Sequence, residues 1–205
     1  MDGTLRFEAR GTFRNGNLVF TSDHGEAFDE HGHLFHSGEV HEEQLRVPLF
    51  LHGTGIQAAR VAAPGSLVDV LPALAGLVGG APRRDWMGTS LVAPSAARSI
   101  YAFQSHSRQK SGISLCVIEG SRKVLGQEDL DELRAGSMQS AFDLASDPRE
   151  QVDLADQDWG KEMFERHRQA LDAALRPRVD LTSAAPTAEE LQDLEAMGYA
   201  GGDDE

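Results

Sequence analysis

The chain has 205 residues, 40% of them hydrophobic and 25% charged, which are the proportions of an ordinary globular protein able to bury one sizeable core. A formal charge of −14, unbroken by any Lys/Arg cluster, sets a repulsive field against polyanions and excludes nucleic acid and anionic membrane surfaces as partners. The single cysteine, Cys116, cannot form an internal disulfide, and within the apolar run Ile113 to Ile118 it is expected to be a small buried hydrophobe.

Thr4 to Arg14 has the texture of a helix end, Asn15-Gly16 is a turn signal and Leu18-Val19-Phe20 is a short apolar run, so helix, turn and strand are expected in that order. Thr-Ser-Asp-His-Gly follows at once, which puts polar side chains at the C-terminal end of a strand, where open α/β sheets bind their ligands. Val47 to Leu51 is a second apolar run, expected beside the first in a parallel sheet. Ser66 and Asp69 form a capping-box pattern ahead of a helix reaching Val78, with Pro72 predicted to kink it.

From Ser99 onward the texture changes. Ile100 to Phe103, Ser114 to Glu119, Lys123 to Leu125 and Ala141 to Leu144 are short β-prone runs, predicting a small antiparallel sheet. Asp147-Pro148 fits the first two positions of a type I turn that closes it. Trp159, Met163, His167, Ala170, Leu171 and Ala174 recur at helical spacing, giving an amphipathic helix to lie on the sheet. A last helix is marked by the Thr187/Glu190 capping box and stopped at Gly198, and the final four residues are expected to fray. The expected division is an α/β portion over residues 1–95 and a small α+β subdomain over 96–205. No charged-then-apolar leader stands at the start, and the longest apolar stretch, Leu67 to Val78, is broken by Asp69 and Pro72, so no signal peptide or membrane span is expected within the chain. The compartment stays open.

Five of the eight histidines, His24, His31, His33, His36 and His41, fall between Asp23 and Glu43 among seven acidic residues, Asp23 and Glu43 included, a composition suited to metal ions. Asp23-His24 is the sharpest pair, because a strand ending in a Gly-containing turn aims consecutive side chains from one rigid point. Carboxylate oxygen with imidazole nitrogen suits Mn, Zn or Fe better than Ca. The alternative is that Asp23 caps a following helix while His24 points to solvent.

Thr21-Ser22-Asp23-His24-Gly25-Glu26, Glu30-His31-Gly32, His36 and Glu42-Glu43-Gln44-Leu45-Arg46-Val47-Pro48-Leu49 together resemble, in order and spacing, the pattern of bacterial sulfatases of the Ser-Asp-His-Gly type, in the alkaline-phosphatase superfamily. Ser66 to Pro72, Met87 to Leu91, Phe142-Asp143-Leu144 with Asp147 to Glu150, and Leu191 to Tyr199 extend the resemblance over nearly the whole chain. It implies an α/β, alkaline-phosphatase-like sheet, present in part, followed by a small C-terminal antiparallel sheet with helices. It further implies one divalent ion, Ca or Mn, with Asp23 and His24 as ligands, and His36 holding the sulfate or the leaving-group oxygen. His31 is a poorer candidate for that task. Both would serve catalysis, since a sulfuryl group in transfer spreads negative charge over its oxygens and needs donors aimed at it. Arg46, one turn after Glu42 and Glu43, is expected to make a structural ion pair rather than clamp an anion, and Glu26, Glu42 and Glu43 are expected to be supporting groups.

The pattern departs at the front. The family's upstream acidic pair and its Cys- or Ser-x-Pro-x-Arg motif, source of the formylglycine nucleophile, are absent. Cys116 is followed by Val, Ile and Glu, and Ser146-Asp147-Pro148-Arg149 has its Arg one residue early. The expectation is therefore a fragment, an incomplete gene product or one part of a split enzyme, inactive alone. Its substrate would be a small anionic sulfate ester or phosphate ester, and its partner a separate chain bearing the missing half. A phosphoester hydrolase or transferase of the same superfamily and an inactive remnant are the competing readings.

Overall fold

The computed structural model describes residues 16–35, 40–61, 63–92, 98–105, 113–129 and 134–175. The expected helix end before Asn15, the helix over Thr187 to Gly198 and His36 lie outside the described residues. The first strand, β1 (Leu18–Phe20), pairs with β4 (Phe50–His52) in the register Leu18 to His52, Val19 to Leu51 and Phe20 to Phe50. Phe20 and Phe50 meet across this pair with ring centroids 6.0 Å apart. The pairing is antiparallel, which corrects the parallel arrangement expected from sequence. The reason lies in the connection. A parallel return usually needs a long helical crossover, whereas the described residues between the two strands form a short hairpin, β2 (Ala27–Phe28) with β3 (Leu34–Phe35), and the single-turn helix α1 (Glu42–Leu45).

Ser66 and Asp69 form the expected capping box, here over a 3-10 turn (Leu67–Asp69) that runs into α2 (Val70–Leu77). Pro72 occupies the first turn of α2, where backbone N–H groups have no intrahelical partner to lose, so the helix accommodates its ring there. Asp69 is buried. Besides closing the cap on the Ser66 N–H at 2.8 Å, its carboxylate accepts the Thr89 N–H at 2.8 Å and pairs with Arg98, fastening the helix to the start of the next sheet.

That sheet is the four-stranded antiparallel meander β5 (Ser99–Ser105), β6 (Ile113–Glu119), β7 (Arg122–Asp129) and β8 (Arg134–Asp143), as expected. The period-two alternation sends successive side chains to opposite faces, and both faces are buried. Leu115, Val117, Val124 and Ala141 face Met163, Phe164 and Leu171 of α3 (Asp158–Leu175). Ile100, Cys116, Ile118, Leu125 and Phe142 form a second core on the other face with Val40 and Leu45, from the segment around α1. Cys116 is fully buried there, and burial pushes its thiol up to about 11, so it behaves as a hydrophobe. Among the described residues no helix is long and apolar enough to cross a membrane.

Candidate functional site

Beyond β1 the backbone turns through Ser22 to Gly25, and the Asp23 and His24 side chains stand in solvent with relative exposures of 77% and 45%. Asp23 Oδ1 accepts the His24 backbone N–H at 3.0 Å, and its own backbone and that of His24 hold the carboxyl below its ordinary value, so the group is ionised. His24 Nδ1 lies 2.7 Å from the Gly25 carbonyl oxygen. A carbonyl only accepts, so Nδ1 carries the proton and Nε2 presents the lone pair. That nitrogen is 3.7 Å from Asp23 Oδ2. An ion roughly 2.1 Å from each atom would span this gap at an obtuse angle, and the Nδ1–H bond to a backbone carbonyl is the usual way a ligating histidine is oriented. The pair therefore fits a divalent ion. Asp23 caps no helix, since the next element is β2.

Gly25 is required where it stands. A Cβ there would lie 2.0 Å from the Glu43 carbonyl oxygen, so the turn can approach α1 only without a side chain. Gly25 N–H donates to the Gln44 carbonyl at 2.7 Å, locking the turn to α1.

A second cluster lies between α1, β7 and the turn after β8. Glu150 N–H donates to the Asp147 carbonyl at 3.2 Å, which closes the expected Asp147-Pro148 turn and leaves Glu150 in the left-handed region, at φ 55°. Such a backbone costs a glutamate roughly 1–3 kcal/mol and persists only where surroundings impose it. Here they do. The buried Glu150 carboxylate forms an ion pair with Lys123, Oε1 to Nζ 2.7 Å, while its Oε2 accepts His41 Nδ1 at 2.7 Å and the Glu42 N–H at 2.9 Å. Burial alone would raise its pKa, but the His41 and Lys123 contacts prevail and pull it from 4.5 to about 2. Lys123, itself buried, also pairs with Glu42 at 3.1 Å.

His31 joins the same cluster. Its Nδ1 is 2.8 Å from Glu43 Oε1 and its Nε2 is 3.2 Å from the Glu150 carbonyl oxygen. Burial works against charge on this ring, yet the Glu43 and Glu150 contacts outweigh it and raise its pKa. Glu42 thus pairs with Lys123 and Glu43 with His31. Neither bonds the exposed Arg46 side chain, which corrects the ion pair expected there.

Ligand-type atoms of His31, His41 and Glu150 lie within 4.8 Å of one another. They suit hydrogen bonding better than a metal. The two imidazoles stack with centroids 3.9 Å apart and planes 6° from parallel, so their in-plane lone pairs cannot converge on one ion. The Lys123 ammonium already supplies the positive charge that the Glu150 carboxylate needs.

Sequence reasoning singled out Asp23 and His24 and did not anticipate the joint of Lys123, Glu150 and His41. One signal was available: Lys123 stands two residues from Leu125 in a β-prone run, hence on the same, inward face.

Solved structures similar to this one include sulfatases. A 2-O GAG sulfatase matches 84% of the chain at TM-score 0.65 and 23% identity, the chain covering 39% of it. A second, solved with its substrate D-glucosamine-2-N,6-O-disulfate, matches 79% of the chain at TM-score 0.52 and 20% identity, with 33% of that protein covered. The chain thus has an α/β fold of the alkaline-phosphatase-like class. At the level of sequence, a family model described as Sulfatase matches residues 6–81. Choline-sulfatase of Rhizobium meliloti is 33% identical over 171 residues, 78% of this chain. Arylsulfatase K of Bos taurus is 29% identical over 164 residues, 74% of this chain. These matches support the sulfatase family of hydrolases, whose members generally use a divalent metal, as the family that this chain resembles. It spans about a third of the length of these two relatives, 33% and 29% respectively.

Proposed function

We propose that the chain forms part of the active site of a metal-dependent sulfuric ester hydrolase, in which Asp23 and His24 ligate one divalent ion and His36 holds the sulfate or the leaving-group oxygen. The observation that carries this reading is the pair itself: an ionised carboxylate and an imidazole lone pair, 3.7 Å apart, on a turn fixed by Gly25. When bound, a divalent ion supplies Lewis-acid polarisation of the sulfuryl oxygen. The imidazole donor favours Mn over Ca. Asp23 and His24 orient and hold, with the His24 tautomer set by the Gly25 carbonyl. His31 is the weaker second donor to the substrate anion, because it must first leave Glu43 or the Glu150 carbonyl.

The substrate is a small anionic sulfate ester. Support comes from choline-sulfatase, arylsulfatase K and the fold relative solved with a glucosamine disulfate. No Cys- or Ser-x-Pro-x-Arg stretch occurs among the 205 residues, so the nucleophile in this reading is contributed by polypeptide outside them. Residues 1–95 then carry the site, and 96–205 form the unit that supports it.

The test has two arms. Mn²⁺ is titrated into the purified chain and followed by electron paramagnetic resonance, which should show one site that is lost in Asp23→Asn. A chromogenic aryl sulfate is then assayed with the chain alone and with the chain plus a polypeptide bearing the Cys-x-Pro-x-Arg motif. Turnover is expected only in the mixture, and turnover by the chain alone would overturn the proposed division of labour.

A further inference from the structure

The Asp23-His24 turn makes its backbone contact with α1, through the Gly25 N–H on the Gln44 carbonyl and the close approach that only a glycine permits. What fixes α1 therefore fixes the turn. This helix has four residues, and its N-cap residue, His41, makes no side-chain cap. So short a helix is not stable by itself. Its capping group comes from 108 residues away in sequence, where the Glu150 carboxylate accepts both the Glu42 N–H and His41 Nδ1. A carboxylate at that end satisfies an orphan donor and suits the helix dipole. The carboxylate is held in turn by Lys123, from the middle strands of the four-stranded sheet. A continuous path of short polar contacts thus runs from β7 through Glu150 and α1 to the turn bearing Asp23 and His24.

We propose that Glu150, seated by Lys123, is a positioning residue for the Asp23-His24 pair, acting through the cap on α1 and the Gly25 to Gln44 hydrogen bond. The inference rests on the metal-binding reading for its functional meaning, though not for its mechanics. Glu150 touches neither substrate nor ion. It removes freedom from the ligand turn, so that the pair meets an ion without first being ordered. The left-handed backbone at Glu150 fits this duty, because that conformation delivers the side chain inward from the turn.

The test uses the 205-residue chain with Glu150→Gln, Glu150→Asp and, as a control, Phe164→Leu in the opposite core, where α3 packs on the sheet. Two quantities are read: amide hydrogen exchange at Gly25 and Mn²⁺ affinity by electron paramagnetic resonance. Both Glu150 variants should speed Gly25 exchange by tenfold or more and weaken Mn²⁺ binding about tenfold, the range for groups that orient a metal ligand. Phe164→Leu should lower the melting temperature and leave Gly25 exchange under native conditions within twofold of wild type.

Glu150→Asp keeps the charge and loses the reach. If it behaves as wild type while Glu150→Gln does not, the effect is one of field rather than position and the proposal fails. The proposal also fails if Phe164→Leu matches the Glu150 variants at equal loss of stability. Should wild type bind no Mn²⁺, the proposed function falls, and Gly25 exchange still decides whether Glu150 holds the turn. If Glu150→Gln does not fold, Glu150→Asp against Phe164→Leu gives the same decision.

Discussion

Lys123→Met is the perturbation whose size the structure fixes best. The ammonium is fully buried, 2.7 Å from Glu150 Oε1 and 3.1 Å from Glu42 Oε1, and the Glu150 side chain has no solvent exposure. Methionine fills similar volume, so the substitution removes a charge with little cavity. It leaves Glu150 buried with His41 and one backbone N–H as its remaining donors, and Glu42 facing a like charge nearby. Removing one partner of a buried ion pair costs about 3–5 kcal/mol, and the surviving donors place this case toward the lower end. The carboxyl points the same way: His41 and Lys123 together draw its pKa from 4.5 to about 2, so only part of that displacement belongs to Lys123. Since this pKa is lowered by folding, the stabilisation is complete above pH 4.5 and is lost as pH falls from 4.5 toward 2. Urea unfolding followed by tryptophan fluorescence should therefore show Lys123→Met destabilised by about 3 kcal/mol at pH 7, with the difference from wild type shrinking below pH 4.5. Lys123→Met/Glu150→Gln should recover part of the loss at pH 7, because no unpaired charge then remains at Glu150. A loss under about 1 kcal/mol, or a double variant no better than the single at pH 7, would refute the account of the joint.

Asp23→Asn and His24→Ala should abolish the Mn²⁺ site while changing stability by no more than about 0.5 kcal/mol, since both side chains are exposed; parallel titration and thermal melts check this. In the assembled enzyme His36→Ala should lower kcat by about 10²–10³, the usual cost of one donor to a developing anion, with the melting temperature nearly unchanged. His31 titrates in the opposite sense to Glu150: its pKa is raised in the fold, so its contribution is whole below the ordinary value of 6.5 and disappears as pH climbs through the folded value. Glu43→Gln should weaken that alkaline dependence in melts recorded from pH 5 to 9, and an unchanged profile would remove His31 from the joint.

Much of the fold was legible because its signals are local. The short β-prone runs Ile100 to Phe103, Ser114 to Glu119, Lys123 to Leu125 and Ala141 to Leu144 predicted the antiparallel sheet, the spacing from Trp159 to Ala174 predicted α3, and Ser66 with Asp69 predicted the cap before α2. The direction of β4 was not legible. Hydrophobic runs mark strands but carry no sign, and the two strands pair antiparallel across a connection whose described residues hold a hairpin and a single helical turn. Asp23-His24 could be found because both ligand-type residues are consecutive. The joint behind it could not, because Glu42, Lys123 and Glu150 are brought together across more than a hundred residues by the docking of one sheet face on the α1 segment. Arg46 illustrates the same limit. Helical spacing offered it Glu42 and Glu43, and tertiary contacts with Lys123 and His31 took both.

The placement of that joint follows from what apolar packing can and cannot do. On the sheet face toward α1, Cys116, Ile118, Leu125 and Phe142 meet Val40 and Leu45, and such contacts supply cohesion without direction. Hydrogen bonds to charged groups are directional and lose most of their worth when lengthened. Lys123, Glu150 and His41 therefore add to the same face the one thing it lacks, a fixed position for the start of α1. The Gly25 to Gln44 bond hands that position on to the exposed turn. Asp23 and His24, 3.7 Å apart on the exposed turn, stand on backbone anchored in this way.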